Sequence, residues 1–241
     1  MQELRANQTA LVETDEVRAR YERRKAAIEP DRYSMLTPNV WQSVQERQRA
    51  MLRMFVRIGL TDLNAVRLLE VGCGTGDNLL EFLRLGLNPQ NLAGIELLQD
   101  RVEKARRRLP PDIVRSGDAT KLVLPEVSYD IVFQSVVFSS LLNNDFQMDL
   151  AAKMWSWVKP GGGVLWYDFI YNNPGNRDVR GVPVRRVREL FPLGRVTVKH
   201  LTLAPPIARR VCRVHSGLYG LFNSLPFFRT HVLCWIQKAA G

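Results

Sequence analysis

Three glycines at alternate positions, Gly72, Gly74 and Gly76, follow directly on the apolar run Arg67-Leu68-Leu69-Glu70-Val71. A chain that leaves a buried strand through such a turn bends sharply and brings its backbone close to a ligand, because no Cβ atoms stand in the way. The chemistry on offer is ligand binding at the carboxyl edge of a sheet. The spacing is G-x-G-x-G with Glu70 two residues ahead, not the G-x-G-x-x-G that seats a dinucleotide pyrophosphate on a helix N-terminus. Glu96 ends a second apolar run in Gly94-Ile95-Glu96, where a carboxylate can accept hydrogen bonds from both hydroxyls of a ribose. Asp118 follows a third run in Gly117-Asp118-Ala119; an Asp there serves equally as a cap for backbone amides. Cys73 carries a thiol inside the turn, yet no histidine lies near it in sequence, and packing under the turn is the simpler use.

The elements that must position these residues alternate. Strand-like runs at 67–71, 92–96, 113–116, 129–134 and 163–167 are separated by helix-compatible segments at 77–85, 99–109 and 145–158. Helix 183–191, strand 195–203 and a last strand 230–237 follow. The pattern predicts an α/β fold: a doubly wound, Rossmann-like seven-stranded sheet with helices on both faces. Residues 1–60 are rich in Arg, Glu and Gln, with Val44, Met51, Met54, Phe55 and Ile58 at helical spacing and a loop from Pro30 to Pro38. They read as a helical N-terminal extension to a domain over 61–241. Between the last two strands, Ile207, Val211, Val214, Leu218, Leu221 and Leu225 fall at helical spacing, with Arg209, Arg210 and Arg213 largely opposite. This predicts a basic amphipathic helical insertion over about 205–228, which can dock as a lid, lie on an anionic membrane or grip a phosphorylated acceptor.

From about residue 65 to 170, Glu70-Val71-Gly72-Cys73-Gly74-Thr75-Gly76, Glu96, Gly117-Asp118-Ala119, Asp130 to Ser135 and Val158-Lys159-Pro160-Gly161-Gly162 come in an order that resembles the class I methyltransferases dependent on S-adenosylmethionine (SAM), in their broad small-molecule branch (methyltransferase type 11-like). The resemblance implies SAM as cofactor and S-adenosylhomocysteine (SAH) as product. It implies Glu96 on the ribose, Asp118 on the adenine amino group and the Ala119 amide on a ring nitrogen. The candidate cofactor set is Tyr33, Glu70, Gly72, Cys73, Gly74, Gly76, Asn78, Glu96, Leu97, Asp118, Ala119 and Gln134, with Tyr21 and Arg24 able to close over it.

SAM chemistry needs in-line positioning of a nucleophile, and deprotonation only if that nucleophile is a hydroxyl. Ser135, Phe138, Asp168, Tyr171, Asn172 and Asn173 lie where an acceptor should enter. Asp168 and His215 are the candidate catalytic groups; His231 reads as structural, and His200 is the third imidazole. No metal motif is present, and Cys73, Cys212 and Cys234 lack metal-ligand or disulfide spacing. The net charge of +10 lies in residues 177–241, where twelve Lys/Arg face Asp178 and Glu189 alone, which points to an anionic partner or a solubilising face. The expected acceptor is a hydroxyl or amine of a small or medium molecule, with anionic ones included: a glycan, a nucleotide- or lipid-linked intermediate, or a secondary metabolite. The alternatives are an RNA methyltransferase and a scaffold that has lost catalysis. Against RNA, Gln134-Ser135-Val136-Val137 lacks the Asn/Asp-Pro-Pro-aromatic signature of amino-group nucleic-acid methylases. With no run of ~18 apolar residues and no secretory signal at the start, a cytoplasmic location is expected.

Overall fold

The computed structural model describes residues 2–27 and 33–241, with side chains placed from Glu13 to Lys25 and from Tyr33 onward. Residues 30–32 of the expected 30–38 loop lie outside the described residues. The strands are β1 (Leu68–Val71), β2 (Leu92–Glu96), β3 (Val114–Ser116), β4 (Tyr129–Ser135), β5 (Val158–Phe169), β6 (Arg195–Leu203) and β7 (Arg229–Gln237). The helices are α1 (Gln2–Ala27), α2 (Pro38–Arg57), α3 (Asp77–Arg84), α4 (Gln99–Arg106), α5 (Asn144–Trp157), α6 (Val184–Leu190), α7 (Pro205–Val214) and α8 (Leu218–Asn223).

All seven strands join in one sheet of order β3-β2-β1-β4-β5-β7-β6. Pairing is parallel from β3 through β5 and antiparallel on both sides of β7. Every residue of β1 is buried, which is why its sequence runs apolar without alternation, as a central parallel strand requires. The chain leaves β1 toward β2 and β3, then returns to place β4 on its other side. This reversal opens a crevice between the carboxyl ends of β1 and β4, where ligands of doubly wound sheets bind.

Successive strand residues point to opposite faces, so each strand feeds two cores. Leu68, Ile131, Phe133 and Leu165 meet Met51, Met54 and Phe55 of α2, Leu79 and Phe82 of α3, and Val102 and Ala105 of α4. Leu69, Val132, Val164, Trp166 and Ile236 meet Leu150, Met154 and Trp157 of α5, Val187 and Leu190 of α6, and Val17 of α1. Each such side chain, fully buried, contributes about 1.5–3 kcal/mol relative to exposure. β5 begins earlier than its sequence suggests, because the Lys238 amide and ammonium bond the carbonyls of Gly162 and Val158 and hold the turn in line with the strand.

The insertion departs from the single helix expected. His215 is extended (φ −161) and ends α7, and its ring Nδ1 accepts the Gly217 amide at 3.1 Å, closing a turn before α8. Two short helices then bury Ala208, Cys212 and Tyr219 against Leu203. Val214, Leu221 and Leu225, which one continuous helix would have put on the buried stripe, are exposed. The pair docks on α2: Glu46 accepts from Tyr219 Oη (2.8 Å), the Thr202 amide (3.1 Å) and Asn223 Nδ2 (2.7 Å). Gln42 Nε2 donates to the Ser216 carbonyl at 3.2 Å. Among the described residues no helix is long and apolar enough to cross a membrane.

Candidate functional site

The glycine turn has a backbone that other residues could not adopt. Gly72 has φ +70, and a Cβ there would come 2.5 Å from Val137 Cγ2; Gly76, at φ +85, caps the start of α3, where a Cβ would meet Leu109 Cδ1 at 2.7 Å. The turn is tied to the end of β2. The Gly72 and Cys73 amides donate to the Ile95 carbonyl at 2.8 and 3.0 Å, and Glu96 accepts the Gly74 amide on Oε2 and the Leu98 amide on Oε1, both at 2.8 Å.

These residues border a cleft of about 940 Å3 above the carboxyl ends of β1, β2 and β4. Of the sequence candidates, Tyr33, Gly72, Cys73, Gly74, Asn78, Glu96, Leu97, Asp118 and Ala119 line it, as do Tyr21, Arg24 and Ser135. Glu70, Gly76 and Gln134 do not line it and stand behind its wall. Gln134 Oε1 accepts the Val137 amide at 3.0 Å and its Nε2 donates to the Tyr167 carbonyl at 3.3 Å, so it shapes the β4 loop. Glu70 accepts Asn78 Nδ2 on Oε1 at 2.6 Å, while its other oxygen is buried without a protein partner. Burial pushes the Glu70 carboxyl up to about 8, against the opposing pull of the Asn78 hydrogen bond and the Arg47 charge.

The roof is α1. Thr14 Oγ1 donates to Asp118 Oδ2 at 2.8 Å, and Asp118 Oδ1 accepts the Thr120 amide and hydroxyl. Arg20 and Glu13 form a buried ion pair whose ends reach the Ser140 carbonyl and the Leu142 amide. The Tyr21 ring lies between the guanidinium groups of Arg101 (4.3 Å to the centroid) and Arg24 (5.1 Å).

Neither catalytic candidate reaches the cleft. Asp168 is fully buried, accepting the amides of Ser139 (3.1 Å) and Phe169 (2.9 Å), and burial pushes its carboxyl up to about 7. It braces the turn after β4 rather than facing a ligand. His215 is exposed at the break between α7 and α8. No histidine is among the residues lining the cleft: His200 is exposed on β6, and His231 stacks on Tyr167 (centroids 5.2 Å apart). Phe138 is core, Asn172 and Asn173 accept loop amides, and Tyr171 is exposed.

Sequence reasoning missed Arg47. Its Nη2 donates to Asn78 Oδ1 at 2.7 Å and its Nη1 to Ser135 Oγ at 3.2 Å, with the guanidinium 5.2 Å from the Tyr167 ring centroid. Its buried Nε has no protein partner. The signal was available: Arg47 shares the i, i+4, i+7 stripe of α2 with Met51 and Met54, both buried, and a cation on an apolar stripe wants a specific partner.

The geometry is matched by kinship, since residues 68–162 fit the family model of a methyltransferase domain. Residues 68–162 thus carry a methyltransferase domain, on a fold shared with SAM-dependent methyltransferases. A malonyl-[acyl-carrier protein] O-methyltransferase from Bacillus cytotoxicus is 28% identical over 155 residues, covering 64% of this chain and 48% of that protein. The chain thus spans about half the length of the curated relative it matches. In fold it is similar to a SAM-dependent methyltransferase from Archaeoglobus fulgidus (TM-score 0.57, 15% identity, 79% of this chain and 94% of that one). It is also similar to phosphoethanolamine N-methyltransferase 1 of Haemonchus contortus in complex with phosphoethanolamine and S-adenosylhomocysteine (TM-score 0.61, 13% identity, 96% and 50%).

Proposed function

We propose that the cleft holds SAM and that the protein methylates a small or medium, anionic acceptor. The observation that carries this reading is the glycine turn bound through its Gly74 amide to Glu96 at the cleft. Each Glu96 oxygen accepts one amide and keeps a further lone pair, so the carboxylate is fixed in place and still able to receive two ribose hydroxyls. Leu97 and Val137 offer apolar walls for a base, and Asp118 and Ala119 offer an acceptor and a backbone amide at its edge. The polar end, with Asn78 and Ser135 held from behind by Arg47, suits the amino acid part of the cofactor, whose carboxylate the guanidinium attracts through them.

Bound SAM supplies a methyl group already activated on a sulfonium. The chain's own residues then need to seat the acceptor and exclude water, which the α1 roof does through Val17 and Tyr21. With no imidazole facing the cleft among the described residues, a carboxylate, ionised and nucleophilic at neutral pH, fits best, whereas an alkyl amine must first give up the proton it carries there. Arg24, Lys25, Arg101 and Lys104 at the cleft are matched by Glu22, Asp77, Glu96, Asp100 and Asp118, so the support for a negatively charged acceptor is the excess of Lys and Arg over residues 177–241. The two named relatives act in keeping with this, one on an acyl carrier-linked malonyl group and one on phosphoethanolamine.

The test is calorimetric titration with SAH. Binding near one per chain is expected, weakened ~10-fold or more in Glu96→Ala, because charge-assisted hydrogen bonds contribute about 1.5–3 kcal/mol. No binding by the unaltered protein would overturn the proposal and leave a scaffold that kept only the fold.

A further inference from the structure

The outer sides of α7 and α8 carry a combination that the cleft does not use. On α7, Ala208 and Cys212 face inward, while Arg209, Arg210, Arg213 and Val214 are exposed. On α8, Tyr219 is buried and Leu221, two residues on and so about 200° around the helix, is exposed. Val214 is 79% exposed, Leu221 64% and Phe227 70%. Single exposed apolar residues need no explanation. Here three large ones lie within fourteen residues and follow directly on three exposed arginines; Val214 and Leu221 lie on α7 and α8 and Phe227 in the turn just after α8, while the inner side of α8 is locked to α2 through Glu46. From residue 190 to 241 there is no acidic residue at all, so nothing on this stretch neutralises the arginines.

The surface is also linked through α2 to the segment that borders the cleft. Gln42, one turn into α2, bonds Ser216 in the break between the two helices. The segment just before α2 contains Tyr33, which lines the cleft, and Leu36, which is 93% exposed. Pro38 to Gln42 rises only about 6 Å, so this second exposed apolar segment is close to the first.

We propose that this face, Arg209, Arg210, Arg213, Val214, Leu221 and Phe227, is a docking surface for an anionic lipid membrane. Arginines alone would suit any polyanion. Bulky apolar side chains beside them favour a partner with a charged surface and an apolar interior within reach, which is a lipid interface rather than a nucleic acid or an acidic protein. Because α7 and α8 are pinned to α2, a membrane held there would bear on a fixed part of the molecule rather than on a loose arm. The inference goes beyond the methyl-transfer reading and does not depend on it.

The experiment is co-sedimentation of the full chain with phosphatidylcholine vesicles and with phosphatidylcholine/phosphatidylglycerol vesicles at low salt. Binding to the mixed vesicles at least ~10-fold above the neutral ones is expected. The triple variant R209Q/R210Q/R213Q should lose binding on the order of 100-fold, from roughly 1 kcal/mol per arginine near an anionic surface. The double variant L221D/F227D should also lose most of it with all arginines present. Failure of the unaltered protein to bind mixed vesicles would overturn the proposal. So would binding that the double variant retains and the triple variant loses, the behaviour of a site for RNA or an acidic protein. Unchanged thermal midpoints establish that the variants fold, and SAH titration reports the cofactor cleft separately. Hydrogen exchange on the unaltered protein provides a reading free of substitutions: slowing across 205–228 on adding mixed vesicles is expected, and its absence counts against the site.

Discussion

Arg47 stands on the apolar stripe of α2 behind the cleft wall, its two terminal nitrogens bonded to Asn78 and Ser135, which line the cleft. If it attracts the carboxylate of the cofactor, Arg47→Met should weaken SAH about 10- to 100-fold, the range for a charge-assisted pair. The same change should leave 5′-methylthioadenosine, which has no carboxylate, within ~3-fold. Equal loss for both ligands would make Arg47 a support for Asn78 instead. Val136, between Ser135 and the loop, has φ +59, a conformation that costs a β-branched residue about 1–3 kcal/mol. It persists because the Val136 amide is bonded to the Tyr167 carbonyl at 2.9 Å, and it keeps the β4 loop turned toward the cleft. At this scale the sequence spoke clearly wherever the backbone itself made a demand. Gly72, Gly74 and Gly76 stood out because a left-handed turn needs residues without Cβ. Arg47 did not, since an arginine on a helix reads as solvated until its neighbours in space are known. Asp168 and His215 lie off the cleft for the same reason: strand ends and insertions are where reactive groups gather, but side-chain direction is decided by packing.

Among the elements, α1 is held differently from the others. Of its described side chains only Val17 belongs to the buried core, with Tyr21 packed against it; the rest of its attachment is polar, through Thr14, Glu13, Arg20 and Tyr21. Such a helix opens at lower cost than one seated by a full apolar stripe. Arg20→Met leaves Glu13 buried without its cation, a loss of about 3–5 kcal/mol for a buried pair. The expected outcome is faster amide exchange over 13–25 with little change in exchange over β4 and β5. Uniform acceleration through the sheet would show that α1 is part of the cooperative core. The insertion shows where helical periodicity fails. A count of apolar positions from Ile207 to Leu225 runs straight through His215-Ser216-Gly217, and one turn there rephases everything after it. Gly217 was the visible signal; that His215 would close the turn with its own ring was not.

Across the whole molecule, three buried titratable groups set a pH dependence. Burial raises Glu70 from 4.5 to about 8 and Asp168 from 3.8 to about 7, so the stability they lend is full below about 4 and is lost as pH rises through those higher values. His231, lowered from 6.5 to about 4 by burial and then by Arg47, works the other way: its contribution is present above 6.5 and lost as pH falls toward 4. Two groups oppose one, so their sum declines from about pH 4 to 8, most steeply near 6.5 to 7. Asp168→Asn, whatever its constant cost, should therefore gain on the unaltered protein as pH rises from 5 to 8, read as thermal midpoints. A difference that stays flat over that range would sink the assignment. The sheet order was only partly open to local reading. Alternation of strand and helix forecast the parallel half, whereas the place of β7 between β5 and β6 is a matter of pairing. Its mark was the uninterrupted Val232-Leu233-Cys234-Trp235-Ile236, buried at every position, as an interior strand must be.

That placement bears on how the protein is made. β5 is complete by Phe169, yet its outer edge stays uncovered until residues 229–237 have been synthesised, some sixty residues later. During that interval a long strand with Trp166 and Leu165 at its centre is an open template for any other chain. A nascent chain halted before β7 is therefore a client for chaperones and a seed for aggregation, and β6 joins the five parallel strands only when the last strand pairs between them.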